Sequence, residues 1–153
     1  MRTKNKVILL TGLCAGLLLL AAACTLVDPS TPAPTHSIQG VVWQWVSVTE
    51  KPTNTTTTIS NPENYTLIFN ADNTFTGTAD CNAISGTYSQ ENGFSITLGP
   101  STMAFCGEVS LDQQYLDLLS NVVAGGQDGA SGLALENAGG EKRMLFKNGG
   151  TAP

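Results

Sequence analysis

Apolar residues in this chain return at every second position, in short runs broken by glycine, asparagine and proline, and that period favours strands over most of its length. Residues 40–48 are rich in β-branched and aromatic side chains, with Trp43 and Trp45 on one face and Val42, Val46 and Val48 on the other, as in a strand covered on both sides. Residues 65–69 alternate, 70–73 supply turn formers and 74–79 resume the period, which predicts a hairpin. The pattern continues through 84–89, 94–98 and 102–105, with Gly93 and Gly99-Pro100 as punctuation. A last hairpin is expected from 133–136, a turn at 137–140, and 143–147. One amphipathic helix interrupts the strands. Ser110 reads as its N-cap with Gln113 three residues on, and Leu111, Tyr115, Leu118, Leu119 and Val122 follow at helical spacing until Gly125-Gly126. The threonine-rich tract at 53–58 is low in complexity and reads as a loop. The expected fold is mainly β, a compact antiparallel, barrel-like sheet with one helix.

The first 39 residues have a different character. Arg2, Lys4 and Lys6 precede an apolar run from Val7 that ends in Ala21-Ala22-Ala23-Cys24, the order of a secretory signal: basic, apolar, then small residues at a processing site. The segment resembles the lipobox of bacterial lipoproteins, which implies cleavage before Cys24, diacylglyceryl attachment to its sulfur and a chain tethered to the outer surface of a membrane, inner or outer. Two other readings stay open: Ala21-Ala22-Ala23 also suits ordinary cleavage to a soluble protein, and an uncut leader would be a membrane span. Lipidation is preferred, and more than one acyl chain suffices for stable anchoring. Pro29, Pro32 and Pro34 then lie in a polar stretch with no apolar period, read as an extended tether. The organisation expected is a leader at 1–23, a lipidated N-terminus and tether at 24–39, one domain at 40–147 and a disordered tail at 148–153.

Charge narrows the partners. Beyond the leader, Lys51, Lys142, Arg143 and Lys147 are the only strong bases against twelve acids, a formal charge of −8. Nucleic-acid binding needs a basic footprint that no stretch supplies. The same sign argues against a surface that clings to anionic lipid, so membrane contact is expected through Cys24 alone.

Residues 65–72, Gly77-Thr78-Ala79-Asp80-Cys81-Asn82, Ser85-Gly86-Thr87-Tyr88, Leu98-Gly99-Pro100-Ser101-Thr102-Met103-Ala104-Phe105-Cys106 and residues 110–116 together resemble the META domain of HslJ-like heat-shock lipoproteins. The resemblance runs from Trp43 to Phe146. It departs at Gly107-Glu108, where many relatives have proline after the cysteine. It implies a compact antiparallel β-structure with one helix, set in the bacterial envelope. Such proteins are linked in general terms to heat shock, antibiotic tolerance, motility or virulence, with no shared catalytic activity, and no cofactor or metal is implied.

Cys81 and Cys106 each end a strand-like segment, so their side chains could meet at one sheet edge. A disulfide closing that loop of about 25 residues would stabilise the fold by roughly 3 kcal/mol. The alternative, a redox or metal site, lacks C-x-x-C or zinc spacing. A structural pair also leaves Cys24 as the odd cysteine once Cys14 is lost with the leader, which lipidation accounts for.

Catalytic readings meet an obstacle: the only histidine, His36, lies in the tether, so histidine-dependent triads and metal sites cannot be assembled within the domain. Asp80, Glu108 and Asp112 lie near the cysteines and could approach one another, but they more readily accept backbone N–H groups in a loop or at a helix start. Asn70-Ala71-Asp72-Asn73 lacks the spacing of a calcium loop and reads as a turn. Trp43 and Trp45 share a strand face and could form a binding platform for a sugar or peptide, although core packing is the preferred reading. The expectation is therefore a monomeric, non-catalytic envelope lipoprotein that binds a protein or cell-wall ligand or supports envelope integrity under stress. An alternative is an inhibitor or binder of a secreted protein such as a cell-wall hydrolase.

Overall fold

The computed structural model describes residues 37–153. These form a nine-stranded antiparallel sheet, curled into a nearly closed barrel, with one α-helix against it. The strands are β1 (Val41–Glu50), β2 (Thr55–Thr58), β3 (Tyr65–Phe69), β4 (Thr74–Ala79), β5 (Asn82–Ser89), β6 (Ser95–Leu98), β7 (Val122–Asp128), β8 (Gly132–Asn137) and β9 (Lys142–Thr151), with α1 (Asp112–Ser120) between β6 and β7. Neighbours follow the order β6-β5-β4-β3-β1-β9-β8-β7, and β2 pairs with β1 off this path. The two ends of the path approach each other just before β6, where the Phe94 N–H donates to the Val123 carbonyl at 3.2 Å.

Strand β1 pairs with β3 through residues 42–44, with β2 through 47–50 and with β9 along most of its length. Trp45 opposes Phe146 but Ser47 opposes Leu145, so Val46 is an extra residue, a β-bulge. The bulge corrects the face assignment made from strict alternation: Trp43, Trp45 and Val48 are all buried, while Val42 and Val46 are only partly covered. Trp43 and Trp45 are therefore core residues, 2% and 0% exposed, and the platform reading has no surface to present.

The interior is filled by alternate residues of the strands, among them Leu67, Phe69, Phe75, Ile84, Tyr88, Leu133, Leu135, Met144 and Phe146. Gly86 occupies an inward position between Ile84 and Tyr88. Phe75, its cross-strand partner, fills the space a side chain there would need, and a Cβ would also collide with the Thr97 carbonyl. Helix α1 closes the other side with Tyr115, Leu118 and Leu119. Tyr115 stacks on Trp45 with centroids 5.1 Å apart, and Tyr65 meets both rings edge-on.

Several local expectations change. The helix begins at Asp112 and not at a Ser110 cap; Leu111 occupies the cap position without a side-chain bond. The free donors are met otherwise: Tyr65 Oη accepts the Leu111 N–H, Ser110 Oγ that of Asp112, and Asp112 Oδ1 that of Gln113. The helix ends at Ser120, and Val122, Gly125 and Gly126 belong to β7. Gly125 is a close-approach glycine, since a Cβ would lie 2.6 Å from Leu135 Cδ2. The threonine tract supplies β2, tied to β1 by a Thr49–Thr56 hydroxyl contact of 2.9 Å. Residues 102–105 form no strand.

The domain is longer at both ends than the pattern indicated. Ile38, placed in the tether, is buried, and its carbonyl accepts the Trp43 indole N–H at 2.7 Å. Strand β9 continues past Lys147 to Thr151, paired with Val41, and the Ala152 N–H donates to Gly40.

Tyr115 Oη is buried without a hydrogen-bond partner among the described residues, and desolvation holds its phenol well above the ordinary 10.0. Below about pH 10 the phenol is neutral in both folded and unfolded chains; above it only the unfolded chain ionises, so stability falls as pH rises. Tyr115→Phe is expected to leave neutral-pH stability unchanged or raise it by about 1 kcal/mol, and to reduce the alkaline loss, measured by urea unfolding from pH 7 to 11. Gly86→Val is expected to cost at least about 2 kcal/mol in the same assay through overpacking against Phe75 and the β6 backbone.

Candidate functional site

The segment from Gly99 to Val109 follows β6 and continues beside β5 as an irregular extension of the sheet. Its attachment is regular at first: the Gly99 N–H donates to Ser85 at 2.8 Å and the Thr102 N–H to Ala83 at 3.2 Å. Thr102 Oγ1 accepts the Ala83 N–H in return at 2.9 Å. Beyond that point a side chain takes over from backbone pairing. Asn82, 2% exposed, accepts the Ala104 N–H on Oδ1 at 2.7 Å and donates from Nδ2 to the Ala104 carbonyl at 3.0 Å. Its amide thus imitates a neighbouring strand. Asn82 Oδ1 also accepts from Thr102 Oγ1 at 3.1 Å, and Nδ2 lies 3.3 Å from Asp112 Oδ2 on the first turn of α1. One buried amide therefore joins β5, the loop and the helix.

The loop is then covalently closed. Cys81 and Cys106 are disulfide-bonded with Cα atoms 5.6 Å apart, and the Cys81 N–H points at Cys106 Sγ. Asp80, immediately before, takes a positive φ of 57° and its carboxylate accepts from Asn64, so it serves the turn between β4 and β5. Asp112 has its oxygens engaged by Asn82 and Gln113. Of the three carboxylates named from sequence, only Asp112 and Glu108 border the same depression, and among the described residues no group of three metal-ligating side chains comes together. Asp72 accepts from the Thr74 hydroxyl and N–H, which lowers its pKa and marks an ordinary turn. Cys24 and His36 lie outside the described residues.

The fixed backbone holds apolar side chains in solvent. Met103, Phe105 and Val109 are 81%, 82% and 93% exposed, and the one other large apolar side chain exposed among the described residues is Val123. Met103 and Phe105 flank a shallow depression of about 410 Å³, bordered also by Glu108, Asp112 and Gln113. A second depression, of about 490 Å³, lies at the base of the loop against Gly77 and Ala83. Exposed apolar clusters of this kind mark contact surfaces more often than solvated ones. The alternation in Thr-Met-Ala-Phe-Cys predicts a strand, but in the structure its first, third and fifth residues are anchored and its second and fourth, Met103 and Phe105, are surface.

A family model for the META domain matches residues 36–149. The chain belongs to the META domain family. The match spans both cysteines, Asn82 and the whole loop. Among solved structures, a DUF4847 family protein from Bacteroides vulgatus is similar with a TM-score of 0.57 and 16% identity, over 72% of this chain and 93% of that one. A protein from Burkholderia xenovorans, solved by NMR, is similar with a TM-score of 0.57 and 19% identity, over 79% of this chain and 96% of that one. At such identities the likeness is one of fold. Comparison with curated proteins returns no match.

The Asn82 amide gives the Cys-Asn step of this META domain a structural reason. Asn82→Ala removes the bonds to Ala104, Thr102 and Asp112 made by a side chain that is itself buried, and is expected to cost about 2 kcal/mol with the disulfide intact, measured by urea unfolding. Asn82→Asp is expected to be worse at neutral pH, because it loses both amide donors and sets a second carboxylate against Asp112, and to recover in part below about pH 4.

Proposed function

We propose that this META-family chain is a lipid-anchored envelope protein that acts by binding, without catalysis. The observation that supports binding most directly is the disulfide-closed loop that keeps Met103 and Phe105 in solvent on a backbone fixed by Asn82, with Val109 exposed just beyond it. An apolar cluster that served only the fold would be turned inward; this one is held out at a cost in exposed area. The anchoring half of the proposal rests on the run that ends in Cys24 and on the basic residues ahead of it. META family membership is consistent with an envelope role and brings no catalytic chemistry with it.

A more specific version is that the chain binds or inhibits one secreted protein, such as a cell-wall hydrolase. The rigidity of the loop favours it, because a preorganised loop loses little conformational freedom on binding.

A Cys24→Ala variant is expected to leave the membrane fraction, scored by fractionation and by mass of the mature N-terminus. A deletion strain is expected to be more sensitive to envelope stress or antibiotics. Full rescue by Cys24→Ala at normal abundance would show that the anchor is dispensable, and a deletion indistinguishable from wild type would remove the envelope role.

A further inference from the structure

From Pro100 to Cys106 the loop is bonded to the sheet through alternate residues: the Pro100 carbonyl accepts from Ser85 Oγ, and Cys106 is joined to Cys81. Gly99, Thr102 and Ala104 pair inward with Ser85, Ala83 and Asn82. Met103 and Phe105 make no backbone hydrogen bond among the described residues. The outer margin of the loop, though outside any regular strand, is therefore a short run of backbone without a hydrogen-bonding neighbour, carrying two large apolar side chains. Exposed edges are normally blunted by lysine, proline or a bulge. Here Pro100 stands at the start and Glu108 beyond the end, and nothing blocks the edge between them.

We propose that this edge takes up an extended segment of an exported polypeptide by strand addition, with Met103 and Phe105 supplying the main-chain bonds. Apolar side chains of the segment cover Met103, Phe105 and Val109, and the pairing fixes its register. The occupant's charge follows from this chain's own. No lysine or arginine occurs between Lys51 and Lys142, and Glu108 and Asp112 border the depression beside the edge, so the segment carries Lys or Arg among its apolar residues. A second copy of the chain has the wrong sign. A lipid surface is disfavoured by the same acidic charge, since anionic lipid attracts basic segments and the loop has none. The inference rests on the reading of the chain as a binding protein.

The test presents the full chain, immobilised in detergent micelles, to a phage-displayed library of random dodecapeptides. Enriched peptides are expected to alternate apolar residues with Lys or Arg. Phe105→Glu and Met103→Glu should each weaken the selected peptides about tenfold or more, while Val123→Glu, at the exposed apolar position elsewhere, should not. Bound peptide should also slow hydrogen exchange at the amides of Met103 and Phe105, and circular dichroism should show each variant folded. Peptides that bind Phe105→Glu and Met103→Glu as well as wild type would overturn the edge while leaving the chain a binding protein. An acidic or purely hydrophilic family, no enriched family at all, or protection of these amides by self-association or by anionic vesicles in place of peptide would overturn the proposal.

Discussion

One extra residue in β1 governs how this barrel closes. The bulge at Val46 lets Trp43, Trp45 and Val48 all enter the core, which strict alternation forbids, and a bulged strand bends and twists more strongly than a regular one. β1 is also the strand with three partners, so its bend is shared by the whole sheet. That bend allows the path to curl until Phe94 reaches Val123. Trp45 then lies where Tyr65 and Tyr115 can pack on it, and the helix seats against the interior through that contact.

The second level of order is polar. The loop after β6 has no strand beside it for its last residues, and Asn82 substitutes a side-chain amide for the missing backbone. The arrangement places the donor and acceptor of one buried side chain against those of Ala104, and on the Asn82 side an unpaired group is costly. The disulfide lies next in sequence to this amide, and the two constraints act on the same stretch of chain. Such local over-determination explains how a loop with little burial of its own holds a defined shape.

Much of the fold was legible because most strands are half-buried and show their period. The β3–β4 and β8–β9 hairpins stood out through turn residues set between alternating runs. Strand β2 was hidden by its composition, since four threonines in a row carry no alternation and pair only with β1. Strand β7 was hidden by its glycines, which read as a helix stop but serve close packing against Leu135. The face of Val48 depended on a bulge, a property of pairing between distant segments that no local pattern contains. At the site, Cys81 and Cys106 were visible as a pair, whereas the role of Asn82 required knowing that Ala104 would lie beside it.

The shared placement of Asn82 and the disulfide ties the loop to its chemical surroundings. In a reducing compartment the sulfur bridge opens, and the stretch from Met103 to Val109 is left with the Asn82 amide as its chief restraint. Its apolar side chains then lose their fixed spacing and become an ordinary sticky segment. In an oxidising compartment the same atoms form a shaped surface. The loop thus acquires a defined outline only where its two sulfurs can stay joined, so compartment and surface shape are coupled by a single covalent bond.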